Sequence, residues 1–292
     1  MTTALALDYA DRDGAAARRR WVLSRIAIYG VLSLFALVYL LPGLLVFLNS
    51  FRDAAEVSRN GLIAVPMSFS LDNYVRAWTQ ACVSGMCRGL GPNFVNSLII
   101  TVPATIATTI LGAMNGYVLS KWKFPGSNFV FVMIFLGIFL PAQVSLLPWA
   151  WIIGRLGLAN NVLGLLLIHT VMGISFATLF CRNFYAGLPD EITKAAQIDG
   201  AGFWRIFFKV LMPLSGPILA VTVIWQFTSI WNEYLFGVVF TSGMQQPITA
   251  AITGVRAGGS AATVMMAAVP PLLVYLVGGK YFVRGLTQGA LK

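Results

Sequence analysis

The chain has 292 residues, of which 58% are hydrophobic and only 10% are charged. Soluble domains carry about a quarter charged residues because their surfaces must be wetted, so this composition excludes an ordinary soluble globule. The formal net charge of +10 could indicate a nucleic-acid partner. The basic residues cluster on one predicted side of a membrane, however, and this explains the charge better. We therefore predict contact with a lipid bilayer and no nucleic-acid partner.

Six charge-free runs each exceed the roughly 20 apolar residues that a helix needs to cross a hydrocarbon core. Backbone groups in lipid must find hydrogen-bond partners within their own segment, so these runs are predicted to be helices. The predicted spans are 26–48, 93–119, 127–149, 160–181, 213–238 and 262–282. They indicate an all-α integral membrane protein of about six transmembrane helices, forming a single transmembrane domain over residues 1–292.

The basic residues predict how the chain lies in the membrane. If residues 1–25 form a cytoplasmic N-terminal segment, fourteen of the 20 Lys and Arg residues fall on the inner side. This is the positive-inside pattern of membrane proteins. We therefore predict a multi-pass protein of the bacterial inner membrane, with both termini in the cytoplasm.

The first long connection, between the first two spans, contains two cysteines. Cys82 and Cys87 would face the oxidising side and could form a small disulfide. Two free loop cysteines fit the sequence equally well, so both alternatives remain open. The paired cysteine and histidine spacings typical of metal sites are absent from the sequence, and no metal site is predicted.

The second long connection, residues 183–212, is predicted to be a helix, a glycine break and a second helix that leads to the membrane. Pro189 suits a first helical turn, where Asp190 favours the positive end of the helix dipole. Asp190 can also pair with Lys194, four residues later. Gly200 and Gly202 then allow a sharp turn. Such an amphipathic loop must dock on lipid headgroups or on a cytoplasmic partner.

This loop resembles a family motif. The permeases of binding-protein-dependent ABC importers carry Glu-Ala-Ala, three residues, Gly, nine residues, Ile, one residue, then Leu-Pro. In this chain the corresponding positions are occupied by Ala195, Ala196, Gly200, Val210, Met212 and Pro213. Lys194 stands where the family has Glu, and the nearest acid on that helix is Glu191. The stretch 195–200 is especially similar to the carbohydrate branch, as are the segments 93–97, 141–148, 231–233 and 281–287.

The resemblance implies a type I ABC importer permease fold, in which this loop is a cytoplasmic coupling helix that sits in a cleft of an ATP-binding subunit. The coupling residues it implies are Glu191, Lys194, Ala195, Ala196, Asp199, Gly200 and Phe203. It also implies a transport subunit and not an enzyme. The chain itself would bind no cofactor, since ATP and Mg²⁺ would be used by the partner ATPase subunits.

The resemblance further implies a complete assembly. Its other members would be two ATP-binding subunits, a second permease subunit, expected to be a different chain, and an extracytoplasmic sugar-binding protein. The complex would import a monosaccharide or small oligosaccharide by alternating access. An ion-coupled secondary transporter is the alternative, although that class more often shows internal repeats and buried ion-coupling charges.

The fifth span carries the candidate translocation path. Its polar residues follow helical spacing and form one stripe on an otherwise apolar helix, with an aromatic and an amide residue beside it. The six candidates are Thr222, Trp225, Gln226, Ser229, Asn232 and Glu233. Alternatively, Glu233 lies near the outer surface, while Gln226 and Ser229 bond between helices. His169 in the fourth span could relay protons, or it could be a hydrogen-bonded packing residue.

Overall fold

The computed structural model describes residues 2–122, 124–255 and 261–290. It divides into two units, Met1–Ser70 and Leu71–Lys292, which are described separately. Almost all of the regular structure is helical. A chain in lipid has no water to bond to its backbone N–H and C=O groups, so these groups must form hydrogen bonds within the protein.

The first unit consists of a long helix and a folded loop. Helix α1 (Thr2–Ser50) begins well before the predicted span 26–48, and α2 (Ala54–Asn60) follows it. The loop is held by Arg52, whose side chain is buried. Its guanidinium donates to the Asn49 side chain at 2.8 Å, to the Gly61 carbonyl at 2.9 Å and to the Glu56 carboxylate at 2.9 Å.

The second unit opens with α3 (Asp72–Gln80) and a small antiparallel hairpin of β1 (Cys82–Val83) and β2 (Met86–Cys87). Cys82 and Cys87 face each other across this hairpin and are joined by a disulfide. Of the two alternatives that the sequence left open, the structure has the paired cysteines.

The main bundle of the second unit is built on two long helices. Its principal helices are α4 (Gly91–Lys121), α5 (Ser127–Leu136), α6 (Ala142–Arg155), α7 (Val162–Ala186), α11 (Gly216–Trp231) and α14 (Ala261–Ala290). Helices α4 and α7 make the most extensive contact in the bundle. Gly112 and Gly116 permit it, since a Cβ at Gly116 would lie 2.7 Å from the backbone nitrogen of Arg182. Small residues let membrane helices approach closely.

Two of the predicted spans are bent. Residues 127–149, predicted as one span, form α5, a 3-10 turn and α6, with an angle of 105° at the break. Pro141 stands at this break in an extended conformation, just before α6 begins. The fifth predicted span, 213–238, also departs from one helix, because α11 ends at Trp231 and α12 (Leu235–Phe240) follows.

Short elements complete the second unit. The connection after α7 contains α8 (Asp190–Ile198), α9 (Phe203–Ile206), a π-helical turn (Phe207–Leu211) and α10 (Met212–Leu214). After α12 come two 3-10 turns and α13 (Ile248–Ala251). Four helices of the described chain are long and apolar enough to cross a membrane, or six spans result if each bent pair is one. The all-α membrane fold is therefore confirmed.

Candidate functional site

The start of α8 is fastened to the end of α4. The Lys121 ammonium group donates to the Leu188 carbonyl and to the Asp190 carboxylate, both at 2.6 Å. The sequence predicted a pair between Asp190 and Lys194, whereas the structure pairs Asp190 with Lys121. The reason is tertiary: Lys121 reaches the turn that precedes α8, where it binds a carbonyl and the carboxylate together.

The end of α8 has the glycine geometry that the sequence predicted. The backbone N–H of Gly200 donates to the Gln197 carbonyl at 3.0 Å, and that of Ala201 donates to the Ala196 carbonyl at 2.9 Å. This pattern needs a left-handed residue after the helix, and Gly200 supplies it with φ of +74°. Gly202 has φ of −75°, so the turn depends on the first glycine and not on the second.

Aromatic packing anchors the segment that follows α8. The Phe203 ring lies 4.9 Å from the Tyr117 ring and 5.2 Å from the Trp122 ring, both at the end of α4. Ala196 and Phe203 are half-buried against this cluster. The other predicted coupling residues are exposed: Glu191, Lys194, Ala195, Asp199 and Gly200. Residues 190–203 therefore combine a fixed base with an accessible, charged outer surface. We name them the coupling segment, after the role that the motif resemblance implies.

A cavity of about 260 Å³ lies between the break after α5, helix α7 and helix α11. Four of the six predicted path residues line it: Trp225, Gln226, Ser229 and Glu233. The Trp225 ring stacks on the Phe176 ring with centroids 4.7 Å apart, which gives the cavity an aromatic wall. The break at residues 137–142 forms the opposite part of the lining.

The other two predicted path residues do not line this cavity. Thr222 is fully buried, and its hydroxyl donates to the Ile218 carbonyl one turn earlier in α11. Asn232 is exposed at the end of α11. The sequence predicted Thr222 within the polar stripe and Asn232 beside it, but burial of the first and the end of α11 at the second keep both out of the cavity wall.

Gln226 has the bonding role that the sequence offered as an alternative. Its side-chain amide donates to the Gly173 carbonyl of α7 at 2.6 Å and so joins two helices of the cavity wall. The sequence could not have identified Gly173 as the partner of Gln226, because every residue has a backbone carbonyl and the residue pattern does not distinguish one from another.

Glu233 follows the end of α11 and holds the start of α12. Its carboxylate accepts hydrogen bonds from the backbone N–H of Phe236 at 3.0 Å and of Gly237 at 3.4 Å. His169 Nε2 lies 4.0 Å from a Glu233 oxygen and also lines the cavity. The structure thus brings together two side chains that the sequence analysis treated separately. Their wide separation along the chain gave no indication that they lie close to each other.

Comparison with known proteins identifies the family to which this chain belongs. The model of the family described as "Binding-protein-dependent transport system inner membrane component" matches residues 108–287, more than half of the chain. The chain belongs to this family. The matched region of the permease contains the coupling segment and the residues that line the cavity.

Similar permeases match along almost the whole chain. It is 30% identical over 273 residues to the diacetylchitobiose uptake system permease protein of Streptomyces coelicolor, covering 90% of this chain and 88% of the relative. It is 31% identical over 266 residues to the arabinooligosaccharides transport system permease protein of Halalkalibacterium halodurans, covering 88% and 92%. These relatives give no support to an ion-coupled secondary transporter.

A solved structure shows the same fold. A chain from the crystal structure of a bacterial ABC transporter involved in the import of the acidic polysaccharide alginate matches with a TM-score of 0.73 and 23% identity. The match covers 88% of this permease and 95% of that chain. The protein is therefore a multi-pass membrane permease with the type I importer fold, and it works as one component of a larger ABC importer.

Proposed function

We propose that this permease imports a carbohydrate, either a monosaccharide or a small oligosaccharide. The observation that carries the proposal is that relatives about 30% identical over about nine-tenths of the chain are named for the uptake of diacetylchitobiose and of arabinooligosaccharides. Import would proceed by alternating access, with the solute delivered by an extracytoplasmic binding protein.

The cavity supports a carbohydrate as the solute. Sugars bind through hydroxyl groups and through the apolar face of a ring, which an aromatic side chain can cover. Trp225 and Phe176 supply such a face, and Ser229 and Glu233 supply hydrogen-bonding groups on the same wall. In this proposal Trp225, Ser229 and Glu233 contact the sugar, while Gln226 keeps the wall in place through its bond to α7.

The energy would come from two ATP-binding subunits, which would hold ATP and Mg²⁺. The exposed residues of α8 and its turn would contact one of them, with Lys194 presenting a positive charge where the family motif has a negative one. A second, different permease subunit would complete the pathway, and both termini of this chain would lie in the cytoplasm.

The test is uptake by the assembled importer in liposomes. We expect Glu233→Gln to reduce sugar uptake at least about tenfold, because a hydrogen bond to a charged group contributes about 1.5–3 kcal/mol. Trp225→Ala should reduce it as well. Trp151→Ala is the matched control, since this exposed tryptophan of α6 lies outside the cavity lining.

Basal ATP hydrolysis should be unchanged in all three variants, which would show that the complex still assembles. Unaltered uptake in both cavity variants would remove the cavity from the pathway. It would leave the family assignment standing, because that rests on the match over residues 108–287.

A further inference from the structure

Residues 203–214, which we name the elbow segment, run almost perpendicular to the helix that follows them. The angle between this segment and α11 is 80°. Since α11 forms most of the fifth predicted span and carries no charge, a segment at this angle runs close to the plane of the membrane. It leads directly into the start of α11.

One side of the elbow segment is packed into the bundle. Ile206, Phe207 and Leu211 are fully buried, in a cluster with Tyr117 and Tyr185 near the ends of α4 and α7. The corner between the elbow segment and α11 is fixed as well, because the hydroxyl groups of Ser215 and Tyr185 are hydrogen-bonded at 2.9 Å. The orientation of the opposite side is therefore set by the fold.

The opposite side carries two aromatic rings and two cations. Trp204 is 55% exposed and Phe208 is 54% exposed, with their rings roughly parallel at 6.0 Å. Arg205 and Lys209 stand next to them and are exposed. Neither cation forms an ion pair among the described residues, and the sequence has no acidic residue from position 200 to position 232.

We propose that this side of the elbow segment binds the headgroups of anionic phospholipids in the leaflet beside it. Tryptophan and phenylalanine are suited to the boundary between headgroups and acyl chains. Arg205 and Lys209 extend from the same surface to the lipid phosphates, where their stems stay in contact with apolar groups. Bound lipid would hold in place the segment that joins α8 to the wall of the cavity.

The chemistry of the surface favours lipid over a protein. The in-plane direction and the exposed aromatic pair match an interfacial helix, whereas the charged residues proposed to contact an ATP-binding subunit lie on α8 and its turn, outside the elbow segment. The proposal does not depend on which solute is carried, so its failure would leave the proposed function unaffected.

The experiment uses the full-length permease in nanodiscs that contain phosphatidylcholine and phosphatidylglycerol in equal parts. Native mass spectrometry after release counts the retained lipids of each kind. Wild-type protein should retain phosphatidylglycerol preferentially, and Arg205→Gln with Lys209→Gln should reduce that preference by at least about tenfold. Each basic residue near an anionic surface changes binding about fivefold.

Two controls separate charge at this surface from charge in general. Arg59→Gln with Arg88→Gln removes the same charge from exposed positions of the first long connection and should leave lipid retention unchanged. Arg205→Lys with Lys209→Arg keeps the charge and should retain the preference. In the wild type, raising salt from low to high concentration should weaken it, because salt screens exposed charges.

An unchanged preference in the double Gln variant would overturn the proposal, and so would a wild-type preference that does not respond to salt. A third result would do the same. If the double Gln variant kept its phosphatidylglycerol in the mixed nanodiscs but no longer bound the ATP-binding subunit in phosphatidylcholine nanodiscs, the elbow segment would be a protein contact.

Discussion

Lys121 shows how one side chain can fix the start of α8. Its side chain is only 4% exposed, while that of Asp190 is 53% exposed. The ion pair with an exposed carboxylate is therefore weak, and the bond to the Leu188 carbonyl matters more. A partly buried carbonyl that loses its donor costs about 1–3 kcal/mol.

We expect Lys121→Met to loosen α8 without unfolding the bundle. Amide hydrogen exchange over residues 190–198 should become about tenfold faster, with exchange in α4 unchanged. Lys194→Met is the control, because Lys194 is exposed on the same helix. Equal exchange in the wild type and in Lys121→Met would show that the bond does not hold α8.

We expect Glu56 to make the first long connection sensitive to acid. The backbone N–H of Met67 donates to its carboxylate at 3.0 Å, the Ser68 hydroxyl donates at 2.8 Å, and Arg52 pairs with it. These bonds lower the pKa of Glu56 from 4.5 to about 2. Because the folded pKa is lowered, the stabilisation is complete above the unfolded pKa and is lost as pH falls through the folded value.

We therefore expect residues 61–68 to become sensitive to limited proteolysis as pH falls from about 4.5 to about 2, measured with an acid-stable protease. Glu56→Gln should be sensitive already at neutral pH and should show a flatter dependence on pH over this range. The same profile in both proteins would assign the acid response to other groups.

At the scale of the element, the turn after α8 depends on a left-handed backbone. Gly200 has φ of +74°, and a Cβ added there would meet no atom within 4 Å, so only conformation opposes a substitution. A non-glycine residue in this conformation costs about 1–2 kcal/mol. Gly202 has equally open surroundings and φ of −75°.

We expect Gly200→Ala to reduce substrate-stimulated ATP hydrolysis in the assembled importer severalfold, because α8 would lose its fixed end. Gly202→Ala should hydrolyse ATP like the wild type. The two variants add the same methyl group two residues apart, so equal rates would show that the turn geometry is not needed for coupling.

The contact between α4 and α7 depends on Gly116. A Cβ there would lie 2.7 Å from the Arg182 nitrogen and 2.8 Å from Cys181, so the backbones would have to separate. Overpacking of this kind costs about 1–3 kcal/mol. Gly116→Val should lower the melting temperature in detergent by several degrees, while Gly154→Ala, where a Cβ meets nothing within 4 Å, should not. Equal melting temperatures would mean that the helices can separate freely.

The apolar runs predicted where helices lie, but not where they break. Pro42, Pro103 and Pro148 lie inside continuous helices, while Pro141 stands at the 105° break. All four lack the backbone N–H, so this property alone cannot decide whether a proline breaks its helix. The outcome depends on which neighbours satisfy the freed carbonyl, and those neighbours come from distant parts of the sequence.

The coupling segment was more predictable than the cavity for a related reason. The positions of Pro189, Asp190 and Gly200 act locally, through helix ends and turns, and local chemistry can be read from neighbouring residues. The cavity instead depends on contacts between residues far apart in the chain: Gly173 of α7 meets Gln226 of α11, and His169 lies near Glu233.

The close contact of α4 with α7 did leave a signal in the sequence. Gly112 and Gly116 have the spacing Gly-x-x-x-Gly, which places both glycines on one face of a helix. This spacing marks a face that a second helix can approach closely, although it does not name the partner helix.

At the scale of the whole molecule, the coupling segment and the cavity are parts of one continuous structure. Helix α7 carries Tyr185, which packs with the elbow segment, and also Phe176, which forms the aromatic wall. Helix α11 begins at the corner bound to Tyr185 and ends beside Glu233. In the proposed mechanism, movement of α8 would therefore reach the cavity through α7 and α11, which share its wall.

In the proposed mechanism the permease transmits force from ATP-binding subunits, and those subunits are its source of energy. The decisive measurement is uptake of radiolabelled sugar into liposomes, with the purified chain alone and with its permease partner, ATP-binding subunits and binding protein. Uptake should require the complete assembly and ATP, and it should be absent for the chain alone. Accumulation of sugar by the chain alone, driven by an ion gradient, would contradict this mechanism.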